Sequence, residues 1–175
     1  MKDKYQIQLA LCIIFGFFIL IIASYLPFLS LTHEFGHYLI ATIMGYESYI
    51  KDCYTTITKY YGKLPIEIMY AGYIFDICLY FIITLFMIIL CKYSNFSIIG
   101  IPAGLFMNNF FGVSVPGNSI NPDFEKIKEL YSVDPYKPFN ILGYTFLILL
   151  ILIFLRKLDS FEKNIKKSEK DKYLS

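Results

Sequence analysis

Charge is scarce in this chain. Only 17% of the 175 residues are charged and 57% are hydrophobic, whereas a soluble domain usually has about a quarter of its residues charged. The net charge of +2 makes no case for a nucleic-acid partner, and none is expected. Cysteine is sparse and scattered: Cys12, Cys53, Cys78 and Cys91 form no CxxC pair, which argues against a disulfide framework and against a cysteine-built metal site. Three of them lie in apolar runs, where cysteine behaves as a small hydrophobe. There is no internal repeat and no low-complexity linker, and one compact domain is expected at this length. Histidine occurs twice.

Apolar length is what the chain has instead. About 20 apolar residues in a helix cross a bilayer core of roughly 30 Å. Five stretches approach that length: Tyr5 to Ser24, Pro27 to Met44, Ile66 to Cys91, Phe96 to Val115 and Pro138 to Leu155. The expected fold is an α-helical, polytopic membrane protein with about five transmembrane segments, a multi-pass protein of the cell membrane. Residues 1–155 read as one membrane-embedded domain. Residues 156–175 read as a charged C-terminal tail, either solvated or drawn to anionic lipid. The first stretch has the charged start of a signal peptide but is too long and lacks a small-residue cleavage site, so it reads as a retained helix. Pro27 disfavours helical geometry in the residue before it, and Gly45 suits the end of the second helix.

The polar intervals differ from one another. Glu47 to Pro65 is rich in Tyr, Thr and Ile, which fits two short strands in a hairpin; a plain surface loop is the alternative. Ser94 and Asn95 mark a turn. Pro116 and Gly117 interrupt the fourth stretch, and Asn121 and Pro122 suit the cap and first position of a short amphipathic helix. Five alternating spans put eight basic residues on each side, so the positive-inside rule returns a tie.

Both histidines fall in the second stretch, in His33-Glu34-Phe35-Gly36-His37. A four-residue step on an α-helix returns to nearly the same face, so the two imidazoles can face one ion while Glu34 projects about 100° around the axis. That is the HExxH arrangement of two zinc ligands and a carboxylate that takes a proton from water. A charged group at membrane depth costs on the order of several kcal/mol unless compensated, which makes a purely decorative HEFGH hard to sustain. Asp76, inside the third stretch, needs its own account. It is either a partner that orients a histidine or a protonated, hydrogen-bonded carboxyl.

HEFGH in an apolar helix, the strand-rich insert after it and the later Asn121-Pro122-Asp123-Phe124 resemble the site-2 protease family of intramembrane metalloproteases, over about Leu26 to Lys128. The resemblance implies one zinc ion held by His33, His37 and Asp123, with Glu34 as the catalytic carboxylate. It also implies hydrolysis of peptide bonds in or near the transmembrane helix of a membrane protein substrate, as in regulated intramembrane proteolysis. Asn109, Pro116 and Asp123 follow the family's order of Asn, Pro and Asp, with wide spacing and Phe124 in place of a glycine. In Ala71-Gly72-Tyr73, Gly72 matches the family pattern, while Tyr73 and Asp76 depart from it. These departures keep Asp76 open as the third ligand. They also motivate a second function, a non-proteolytic metal-binding membrane protein acting as a carrier or partner-binding module. Asn108 and Asn109 are candidates for holding substrate or a developing oxyanion, against the plainer reading of helix–helix glue.

Overall fold

The structure, a computed structural model, describes residues 2–23, 27–51, 54–57, 62–114 and 122–174. Pro116, Gly117 and Asn121 lie outside the described residues. Six α-helices and one hairpin are present among them: α1 (Lys2–Ile22), α2 (Pro27–Ile43), β1 (Ser48–Lys51), β2 (Tyr54–Ile57), α3 (Ile66–Leu90), α4 (Gly100–Ser114), α5 (Pro122–Tyr131) and α6 (Tyr136–Leu174), with a 3-10 segment, Tyr93–Ile99, before α4. The hairpin is antiparallel and pairs Ser48 with Ile57 and Lys51 with Tyr54.

Three helical stretches are long and apolar enough to cross a membrane by length and composition: Lys4–Ile22, Ile66–Leu90 and Tyr136–Lys167. Their outward faces carry exposed Phe17, Ile21, Phe86, Ile89, Ile148 and Leu152, more apolar surface than a soluble monomer ordinarily shows. The other two expected spans are shorter helices. α2 has 17 residues, about 25 Å at 1.5 Å per residue. It ends where Gly45 takes φ +83, with Tyr46 N–H donating to the Ala41 carbonyl and Gly45 N–H to that of Thr42, as in a Schellman motif. The fourth stretch starts as a 3-10 segment kinked at Asn95, which leaves α4 only 15 residues.

Contacts set the helix directions. Thr32 meets Tyr80, His33 meets Asp76 and His37 meets Ile68, so α2 runs antiparallel to α3. Along α1 and α4, Cys12 meets Gly100, Gly16 meets Gly104 and Leu20 meets Asn108, so these two are parallel. A Cβ on Gly100 would fall 2.1 Å from the Cys12 carbonyl oxygen, and one on Gly104 would fall 2.6 Å from that of Gly16. The backbones of α1 and α4 therefore touch, as small residues four apart allow in apolar helices.

α6 follows α3. Phe139 lies near Tyr73, Phe146 stacks on Phe81 at 4.1 Å, and the Lys157 ammonium donates to the Ile89 carbonyl at 2.8 Å. Past Arg156 the expected tail continues α6 without a break, and Ile165 is buried. Fully buried Phe96, Phe106, Phe110 and Phe124 fill the core.

Candidate metal centre

α2 and α3 cross at two glycines. A Cβ on Gly36 would lie 2.6 Å from the Ala71 carbonyl oxygen, so the helices approach closely enough to bring the α2 imidazoles against α3. There His37 Nδ1 sits 2.6 Å from the Ile68 carbonyl. A carbonyl only accepts, so Nδ1 carries the hydrogen and Nε2 keeps its lone pair. His33 Nδ1 sits 3.2 Å from Asp76 Oδ2, which orients that ring in the same sense.

The two Nε2 atoms are 3.1 Å apart, and Asp123 Oδ2 lies 3.4 Å from His37 Nε2 and 3.7 Å from His33 Nε2. Three electron-pair donors thus converge on one point, within 4.8 Å of one another. Such a set repels itself unless a cation or protons lie between its members, and imidazole nitrogens with a carboxylate oxygen are the donors a divalent metal takes. Gly72 forms the wall of this space. A Cβ there would fall 2.6 Å from both His33 Cε1 and His37 Nε2. The residues present therefore fit a metal ion.

Asp123 is delivered by α5, whose first turn also carries Glu125. Phe124 drives that placement: it is fully buried and packs against Tyr70, Tyr73, Tyr136 and Phe139. Tyr131 donates to the Leu64 carbonyl, and Tyr136 donates to Glu125 at 2.7 Å. With protons rather than an ion between the donors, the charged imidazoles would outweigh the burial of Asp123 and hold its carboxyl well below the usual range. Between the two candidate third ligands, geometry places Asp123 on the Nε2 side and Asp76 behind His33 on the Nδ1 side.

The asparagines separate. Asn108 donates its amide to the Leu20 carbonyl at 2.9 Å, a bond between α4 and α1. Asn109 donates to Asp76 Oδ2 at 3.3 Å and reaches the triad only through Asp76 and His33. Asp76 Oδ1 and Asn109 Oδ1 are both buried without a partner among the described residues.

Glu34 lines a cavity of about 200 Å³ with His37, Thr55, Ile57, Asp123 and Lys126. The Thr55 N–H donates to Glu34 Oε2 at 2.7 Å, and the Thr55 hydroxyl donates to the Glu34 carbonyl at 2.7 Å. Strand β2 thus hangs from the helix turn that bears the motif. Lys126 stands 4.0 Å from Asp123 Oδ1. Neither Thr55 nor Lys126 belongs to a motif. The one signal for Lys126 is its place three residues after Asp123 on a short helix, where the two side chains share a face.

No family model matches the chain, and neither a curated protein nor a solved structure matches it. The chemistry of the site rests on its own residues.

Proposed function

We propose that the chain is a membrane-embedded zinc metalloprotease of the site-2 protease kind, hydrolysing peptide bonds in or near the transmembrane helix of a membrane protein substrate. On this reading α1, α3 and α6 cross the bilayer, and the shorter α2 and α4 complete a five-helix membrane domain. The observation that carries it is the convergence of His33, His37 and Asp123 beside a cavity that Glu34 also lines. Ligand atoms around a tetrahedral zinc at about 2.0–2.1 Å stand roughly 3.3 Å apart; the separations here are 3.1, 3.4 and 3.7 Å.

The chemistry a zinc ion supplies in such a site is Lewis acidity, which lets water lose a proton near neutral pH. Glu34 would accept a proton at its carboxylate as water adds to the scissile carbonyl carbon, and pass it to the amine that leaves when the C–N bond breaks. Lys126 brings positive charge to the cavity where the carbonyl oxygen becomes negative. Asp76, held by Asn109, keeps the His33 ring in the tautomer that presents Nε2. A substrate helix must unwind to expose its carbonyls, and the hairpin, held beside the cavity by the Thr55 N–H on Glu34, is the element the unwound strand would pair with.

A second reading, a metal-binding membrane protein without peptidase activity, draws on the Thr55 amide, which already occupies Glu34 Oε2. Co-expression with single-span membrane proteins separates the two. Cleavage by the wild type that disappears in Glu34→Gln, with metal retained, is the expected result. A purified Glu34→Gln variant that cleaves at the wild-type rate rules out the proposed chemistry.

A further inference from the structure

Sidedness is a tie for five alternating spans, and the helix contacts break it. Tyr5 of α1 packs against Phe96, which follows α3, and against Phe161 of α6. The Gln8 side chain accepts from Ser97 N–H. The start of α1, the end of α3 and the second half of α6 therefore share one end of the bundle, away from the triad.

Among the described side chains, that end carries Lys4, Lys92, Arg156, Lys157, Lys163, Lys166 and Lys167. Its acidic groups are Asp159, paired with Lys163 at 2.7 Å, and Glu162. Among the described side chains the triad end carries Lys51, Lys63, Lys126, Lys128 and Lys137, outnumbered by Glu34, Glu47, Glu67, Asp123, Glu125, Glu129 and Asp134. One end is strongly cationic and the other slightly anionic. At the cationic end a cleft of about 470 Å³ lies between the end of α3 and α6. Lys92, Ser94, Lys157 and Asn164 line it together with apolar Phe161 and Ile165, and the Lys157 ammonium sits 5.2 Å over the Phe161 ring. Positive charge and hydroxyl and amide groups beside an apolar floor suit a phospholipid at its headgroup level.

Resting on the reading that the long apolar helices cross a bilayer, we propose that this cationic end is the surface that engages anionic phospholipid headgroups, with one headgroup seated at Lys92 and Lys157. Lys and Arg are retained on the cytoplasmic side of membrane proteins, where anionic lipid attracts them. The cationic end therefore faces the cytoplasmic leaflet, and the triad, the hairpin and α5 open on the opposite side.

Two measurements on the full chain test this. In a bacterial inner membrane, a green fluorescent protein fused after Ser175 is expected to fluoresce, and alkaline phosphatase at the same position to stay inactive. A membrane-bound chain with active phosphatase overturns this orientation alone; a chain recovered in the soluble fraction overturns the membrane reading and this inference with it. In the second measurement, the chain is reconstituted into phosphatidylcholine with and without phosphatidylglycerol, and the lipid it retains on extraction is identified by mass. Phosphatidylglycerol is expected to be retained roughly tenfold over phosphatidylcholine, and free inorganic phosphate is not expected to displace it. Paired Lys92→Gln and Lys157→Gln should abolish the preference, and the exposed pair Lys166→Gln and Lys167→Gln should weaken it. Equal retention of both lipids, or displacement by inorganic phosphate, overturns the headgroup site.

Discussion

Tyr73 and Phe124 meet edge to face with ring centroids 4.6 Å apart. Tyr73 also lies edge-on to His33, at 4.3 Å. One aromatic chain thus joins the helix that brings Asp123 to the imidazole that Asp123 faces. Both residues depart from the pattern of the resembling family, and each departure touches the other. The bulk at Phe124 anchors α5, and the bulk at Tyr73 receives it.

That contact predicts a stability effect. Phe124→Ala should cost about 3–5 kcal/mol, the usual range for emptying a buried aromatic site, and should weaken metal binding because α5 loses its anchor. Thermal unfolding in detergent, with metal content measured on the folded fraction, checks it. A variant as stable as the wild type removes the anchor from the account.

Gly72→Ala should abolish or sharply reduce metal uptake while the helix persists. Alanine is the better helix former by about 1 kcal/mol, so the loss would come from the methyl group placed 2.6 Å from His33 and His37. Equilibrium dialysis against zinc measures it. Full occupancy in this variant places the ion elsewhere.

The two carboxylates should rank clearly. Asp123→Asn should remove a ligand and deplete the metal. Asp76→Asn should leave the ligand set intact and weaken binding by roughly 10–100-fold, as loss of a histidine-orienting partner does. Elemental analysis of both purified variants decides between them, and the reverse order moves the third ligand to Asp76.

Asn108 and Asn109 should part in the same assay. Asn108→Ala removes a bond between α4 and α1 and should lower stability by about 1 kcal/mol with metal affinity unchanged. Asn109→Ala removes a donor to Asp76 and should lower metal affinity more than stability. Equal effects on metal affinity would return Asn108 to the site.

Much of the site was legible before folding because it is local. The step from His33 to His37 needs only the pitch of one helix, and the Tyr- and Thr-rich run after Gly45 shows its pairing preference in its own composition. Thr55 and the wall at Gly72 were not legible, because each acts across elements that helical or strand periodicity does not relate, and Lys126 showed only its three-residue step from Asp123 on one helix. Asn108 and Asn109 show the limit most plainly. Adjacent on α4, they point about 100° apart, so one bonds α1 and the other Asp76. Nothing in a run of letters says which neighbour stands on which side.

Composition and periodicity by themselves determined an apolar helical chain that carries two imidazoles and a carboxylate on one turn pair. Only tertiary packing decided that Asp123 closes the triad while Asp76 stands behind His33, and that the start of α1 and the second half of α6 share a cationic end. The reason is physical: helix pitch acts over a few residues, whereas a metal triad and a charged face are made by segments far apart in the chain, and the core that joins them sets their distances.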